Sequence, residues 1–229
     1  MIDGISSYSV ADFISFTDEV YFRLFERQFE AWWPAHALLA ALGVATLAFA
    51  VFGRVRIVAV LLAVPLLTSA VTFHFQLYAE LTPVGRIFGW GFLVQIPLVL
   101  AWGYLSRHRQ EPGRAVSRLV GGMVAVCGLL GYPLLSMGRE GGFAAAEYPG
   151  MAPDPTLCLL LGVLLMCARP GWFLILLPIP VIWAATNAAT LHALGAPRPM
   201  MLPVLTAITM ITALWMLRFP RKTHEAPAE

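Results

Sequence analysis

Seven stretches without one Asp, Glu, Lys or Arg divide the chain, at 31–53, 57–79, 87–106, 119–138, 155–168, 170–197 and 199–217. A bilayer core about 30 Å thick is crossed by a helix of roughly 20 apolar residues, with about 17–25 tolerated. Six of the stretches are 19 to 28 residues long and meet that requirement alone. The stretch 155–168 has only 14 residues, but Leu159, Leu160, Leu161, Val163, Leu164 and Leu165 make it strongly apolar, and the turn residues Pro170 and Gly171 follow it. The expectation is an all-α fold: an integral membrane bundle of seven transmembrane helices, the fifth short, preceded by an interfacial amphipathic helix. A soluble chain carries roughly 25% charged residues, and this one has 12%, with 59% hydrophobic. Basic nucleic-acid binders, disordered tails and secreted disulfide scaffolds are excluded.

The charges that remain alternate between the two ends of these stretches. Arg54, Arg56, Arg107, Arg109, Arg114, Arg118, Arg169, Arg218, Arg221 and Lys222 fall on one side, ten of the fifteen basic residues, with only Glu111, Glu225 and Glu229 as acids. Arg23, Arg27, Arg86, Arg139 and Arg198 share the other side with the ten remaining acids. The positive-inside rule then places the N-terminus outside and the C-terminus in the cytoplasm. The expected organisation is an outer-face segment over 1–33, a transmembrane domain over 34–217 and a cytoplasmic tail over 218–229. The acidic N-terminus, with Asp3, Asp12, Asp18 and Glu19, is unlike a signal peptide.

Residues 18–33 predict the amphipathic helix. Phe22, Phe25, Phe29 and Trp32 recur at spacings of three and four, while Glu19, Arg23, Glu26, Arg27 and Glu30 take the other side. Such a helix lies in the headgroup plane, with Trp32 and Trp33 marking the interface before Pro34. Anchoring is its simplest role; a lid or a partner-docking surface is the alternative.

Several motifs carry a resemblance. Ser7-Tyr8-Ser9-Val10-Ala11-Asp12-Phe13, Tyr21-Phe22-Arg23-Leu24-Phe25-Glu26 and Trp33-Pro34 open the chain; Phe73-His74, Phe88-Gly89 with Gln95, Tyr132-Pro133-Leu134-Leu135 and Gly150 through Thr156 follow in order. Together they resemble a family of uncharacterised bacterial polytopic membrane proteins, a domain of unknown function, over most of the chain. The resemblance implies a Gly-His pair after span four and a Pro-Cys-Pro-Thr run at span five. This chain has Gly138-Arg139-Glu140 and Pro153-Asp154-Pro155-Thr156 there, so metal or thiol chemistry resting on that His and Cys is not carried over.

Polar residues within the spans are costly in hydrocarbon and mark the place to look. In span two, Thr68, Thr72, Gln76 and Glu80 recur every four residues as one stripe, with His74 and Tyr78 paired on the opposite side. Gln95 lies in span three; Trp183, Asn187, Thr190 and His192 in span six; Thr206, Thr209 and Thr212 in span seven. Interhelical hydrogen bonding explains them without a site. The functional alternative is a polar pocket among spans two, three, six and seven, with His74, Tyr78, Gln76, Glu80, Gln95, Asn187 and His192 as candidates. Pro65, Pro97, Pro133, Pro178, Pro180 and Pro203 each free a backbone carbonyl inside a span and suit kinked helices around a cavity. Gln95 and Asn187 are expected to face the interior, and His74 to need two hydrogen-bond partners or a metal.

His36, His74 and His192 fall at similar outer depth and would suit a soft metal ion; His36 and His74 would also serve as axial haem ligands. No two histidines share a helix at i,i+4 and there is no CxxC, so no cofactor is required. Cys127, Cys158 and Cys167 lie within spans and read as free buried thiols. The only lysine, Lys222, lies beyond the last span, which excludes a retinal protein, and span seven lacks the histidine pair of a ceramidase-type amidase. There is no P-loop. Two functions remain: a small permease or ion- or metal-handling protein whose pocket opens outward near Glu80, Glu147 and Asp154, or a non-catalytic or redox-associated subunit that docks a partner through its outer loop and amphipathic helix. Membrane lipid, a membrane-protein partner or a second copy are the expected partners, with no nucleic acid, and no motif calls for an enzyme.

Overall fold

A computed structural model describes residues 14–106 and 115–218, and these form helices without a strand. Ser7 to Phe13, Arg107, Arg109, Arg114, Arg221 and Lys222, on which parts of the sequence reading rest, lie outside the described residues. Helix α1 (Asp18–Trp32) starts where Thr17 accepts the Val20 N–H, with Asp18 and Glu19 in its first turn. At Trp33 and Pro34 the chain turns by 97° into α2 (Ala35–Val51). Proline offers no N–H to continue the ladder, so α1 runs across the end of α2 instead of extending it. Then follow α3 (Val55–Leu81), α4 (Val84–Leu105) and α5 (Ala115–Ser136). Helix α6 is Pro153–Cys167; α7 (Pro170–Leu176) and α8 (Pro178–Ala193) meet at 47°; α9 (Met201–Arg218) is last.

Helices α3, α4, α5 and α9 are each long and apolar enough to cross a membrane, and the count reaches six if each bent pair is one span. Leu38, Ile87, Trp90, Leu119, Met123 and Ile211 are each more than 60% exposed on their outer faces. An exterior this apolar suits acyl chains and not water. Several long apolar helices with such a surface mark a multi-pass membrane protein.

Helix α6 is the axis. Every residue from Pro153 to Met166 is buried, as expected of a helix that is hydrophobic all round. Glycines bring α5 against it: a Cβ on Gly121 would strike the Gly162 carbonyl, one on Gly162 the Ala125 backbone, and one on Gly128 the Pro155 carbonyl 2.6 Å away. Small residues at such crossings let backbones meet. The loop entering α6 is buried too, from Ala145 to Ala152. Irregular backbone survives at such a place only with its polar groups answered. Ser136 Oγ accepts the Glu147 N–H at 2.8 Å, Thr156 Oγ1 accepts the Gly150 N–H at 2.7 Å, and Thr68 Oγ1 donates to the Gly150 carbonyl at 2.6 Å. Gly150 itself sits at φ +86°, a left-handed turn that favours glycine.

Bonds from Arg27 to Glu80, Gln28 to Met151 and Arg198 to Leu135 gather α1, the end of α3, the entry loop and the start of α9 at one end of the bundle. Arg118 to Val51 and Cys167 to Ala50 tie the other. Cys158 is buried, whereas Cys127 and Cys167 are half-buried, and all three are free. The amphipathic helix differs from its expected face. Its buried side is Tyr21, Leu24, Phe25 and Gln28, while Trp32 is exposed and Phe22 and Phe29 are half-buried. The face that meets the bundle therefore carries a phenol and an amide, because the groups beneath it are polar.

Candidate functional site

The first turn of α6 carries Asp154, 7% exposed, at the end of the bundle that α1 covers. A carboxylate there is favoured by the free N–H groups of the helix start, but it is otherwise surrounded by apolar residues and needs donors. Helix α8 supplies two from positions i and i+4. Trp183 donates Nε1–H to Oδ1 at 2.8 Å, and Asn187 donates Nδ2–H to Oδ1 at 3.0 Å and Oδ2 at 2.9 Å. From α5, the Tyr132 hydroxyl reaches Oδ2 at 3.4 Å. Among the described residues no cation lies within ion-pairing distance of Asp154.

Helix α1 closes the cluster from above. Tyr21 donates its hydroxyl to Asn187 Oδ1 at 3.1 Å, so α1 grips the group that grips the carboxylate. Burial first, and then the neighbouring Asp154 charge, push the Tyr21 phenol well above its ordinary pKa, so it remains a donor. One helical face on, Gln28 donates to Thr72 Oγ1 at 2.7 Å and to the Met151 carbonyl at 3.4 Å. Glu147 lies nearby but has its own cation, Arg139 at 2.7 Å, whose guanidinium sits 3.8 Å over the Phe22 ring.

His74 adjoins this cluster through Trp183. The imidazole is 0% exposed and ringed by Phe88, Phe92, Tyr78, Phe73 and Trp183; its centroid is 4.6 Å from Phe92 and 4.8 Å from Trp183. Neither ring nitrogen has a hydrogen-bond partner. Its neighbours are aromatic and come from α3, α4 and α8.

The other candidates scatter. Asn187 is in the cluster, and Tyr78 touches it through edge-on contacts with Tyr21 and Trp183. Gln76 and Glu80 are exposed, Glu80 pairing with Arg27 at 3.0 Å on the surface. Over Ser69–Tyr78 helix α3 is wound as a π-helix, so hydrogen bonds skip five residues and a four-residue spacing no longer marks one face. That is why Thr72 is buried and Gln76 is not. Gln95 is 1% exposed but belongs elsewhere, donating at 2.9 Å to the Leu176 carbonyl. In an unbroken helix that carbonyl would take the N–H of residue 180, which is proline; Gln95 replaces it. His192 is exposed, and His36 packs at a tilt against Phe29 and edge-on to Tyr148, with ring centroids 5.0 and 5.4 Å apart. The three histidines do not converge, and among the described residues no three His, Cys, Asp or Glu could hold a metal together.

Sequence reading missed Asp154, Tyr132, Tyr21 and Gln28 as a set. The sequence pattern sets Asp154 only at the outer mouth of the expected pocket, beside Glu80 and Glu147. The available signal was position: Asp154 directly precedes the most uniformly apolar stretch, whose first turns a surrounding bundle must also cover. Residues 18–224 match a family of unknown function (DUF6064). No curated protein and no solved structure matches the chain.

Proposed function

The chain belongs to DUF6064, a family without an assigned activity, and on its own geometry we propose that it is an ion-handling membrane protein or small permease whose site is Asp154. In this reading seven helices cross a bacterial inner membrane: α2, α3, α4, α5, α6, the α7–α8 pair and α9. The N-terminus and α1 are outside, the tail from 218 is cytoplasmic, and the domain boundaries are those expected from the charges. The carrying observation is a buried carboxylate answered by Trp183, Asn187 and Tyr132, all neutral, with no cation beside it among the described residues. An ionisable group inside a membrane bundle is expensive to keep and marks ion pathways and relays. The cluster draws on α1, α5, α6 and α8, replacing the expected set of spans two, three, six and seven.

The partner-docking alternative loses support because the α1 face that would dock is used within the protein, Tyr21 on Asn187 and Gln28 on Thr72. The orientation is checked with reporter fusions: a cytoplasm-dependent reporter should work after Lys222 and fail at Gly4, and the reverse pattern would overturn it. The function is checked in proteoliposomes carrying pH- and potential-sensitive dyes, under jumps of pH and of small monovalent ions. Wild-type protein should move charge or solute and Asp154→Asn should not. Equal responses from the two would reject the site.

A further inference from the structure

The oxygens of Asp154 are not equivalent, and the difference names the ion. Oδ1 is occupied by two N–H donors, Trp183 at 2.8 Å and Asn187 at 3.0 Å. Oδ2 has one close donor, Asn187 at 2.9 Å, and a long contact of 3.4 Å to the Tyr132 hydroxyl. A metal or organic cation would have to face these N–H groups, whose positive ends already point at the carboxylate. Metal ions further demand several ligands, and among the described residues no three His, Cys, Asp or Glu are placed to supply them together. A proton needs one lone pair and no cavity.

We infer that Asp154 is a proton-binding site, in which Oδ2 takes a proton from the water phase on the α1 side and Tyr132 turns from donor to acceptor. The inference deepens the ion-handling reading and rests on it for its role, though not for its chemistry. The indole N–H of Trp183 donates only, and the Asn187 amide N–H is likewise fixed as a donor. Asn187 Oδ1 is engaged by Tyr21. A hydroxyl both donates and accepts and rotates to suit, so Tyr132 is the neighbour able to receive the new O–H. Its own hydrogen then turns to the Cys158 thiol, which lies beside it one turn along α6. The balance is one proton passed from hydronium, whose O–H bond breaks to leave water, to Oδ2, where one O–H bond forms and the carboxylate goes from −1 to neutral. Each N–H donor retains an oxygen acceptor in both states, so the cluster accommodates either charge.

The titratable and charged groups facing Asp154 are Tyr21 from α1, Tyr132 from α5, Cys158 from α6, and Glu147 from the entry loop with Arg139 held to it. Tyr78 and His74 of α3 stand behind Trp183. Glu147 opposes a second negative charge, and Arg139 partly cancels that opposition.

Infrared difference spectroscopy of the full chain, titrated in detergent with isotope-labelled aspartate, reads the proton directly. A label-sensitive protonated-carboxyl band should grow as the pH falls. Asp154→Asn should lose that band and Glu147→Gln should keep it. Trp183→Phe removes a donor from the charged form, so its midpoint should rise by about one pH unit. If Asp154→Asn does not fold, the label in wild-type protein and the Trp183→Phe shift still decide. An aspartate band that Asp154→Asn leaves unchanged, or one untouched by Trp183→Phe, would overturn the inference. Proton uptake with unchanged flux in Asp154→Asn would reject transport and leave the proton site. Lost flux without the band would leave the site and reject the proton.

Discussion

Gln95 offers a closed test of how this bundle handles its prolines. Its amide donates to the Leu176 carbonyl at 2.9 Å, the acceptor that Pro180 leaves without its helical N–H. The amide oxygen of the same side chain has no partner. Gln95→Leu therefore strands one buried carbonyl and removes one stranded oxygen. Leaving a buried acceptor unmade costs about 1–3 kcal/mol, although interhelical bonds in membranes average nearer 0.6 kcal/mol. The expected net loss is about 1 kcal/mol. With Pro180→Ala the helix regains its own N–H at 180, and Gln95→Leu should then be neutral or slightly stabilising, since only the stranded oxygen is removed. Unfolding of the four proteins in mixed micelles, followed by tryptophan fluorescence, gives the coupling directly. Losses equal in both backgrounds to within about 0.3 kcal/mol would show that Gln95 does not stand in for the missing N–H.

Because both nitrogens of His74 lack partners inside an aromatic ring of neighbours, His74→Phe should hold or raise thermal stability, by up to about 1–3 kcal/mol; a clear loss in thermal denaturation would reveal a polar partner. Gly162→Ala places a methyl against the Gly121 carbonyl and the Ala125 backbone, so it should cost about 1–3 kcal/mol or more. Gly171→Ala meets nothing within 4 Å and should be neutral or stabilising by up to about 1 kcal/mol, the same unfolding assay serving for both. Tyr21→Phe removes the bond from α1 to Asn187, about 1 kcal/mol. Hydrogen exchange should then quicken over 18–32 and leave α6 unchanged; faster exchange throughout would mean that α1 is not a separate latch.

The helices were legible because transfer into lipid is summed along a local window. Charge-free runs mark α2 to α9, Trp33-Pro34 marks the turn after α1, and even the all-round burial of α6 follows from its apolar run from Leu157 to Cys167. Gln95 and Asn187 read correctly as interior, at 1% and 3% exposure, because an unpaired amide is costly in any apolar surroundings. Which polar group meets which was not local. Asp154 finds its partners 22, 29 and 33 residues away, and Tyr21 reaches Asn187 across 166. The π-winding of α3 adds a further step, since it turns Gln76 outward without changing the hydrophobic content of its window. Hydrophobic pattern specifies that a helix is buried and leaves its rotation and neighbours to packing, so Asp154 became the centre of a site only when α1, α5 and α8 closed around the first turn of α6.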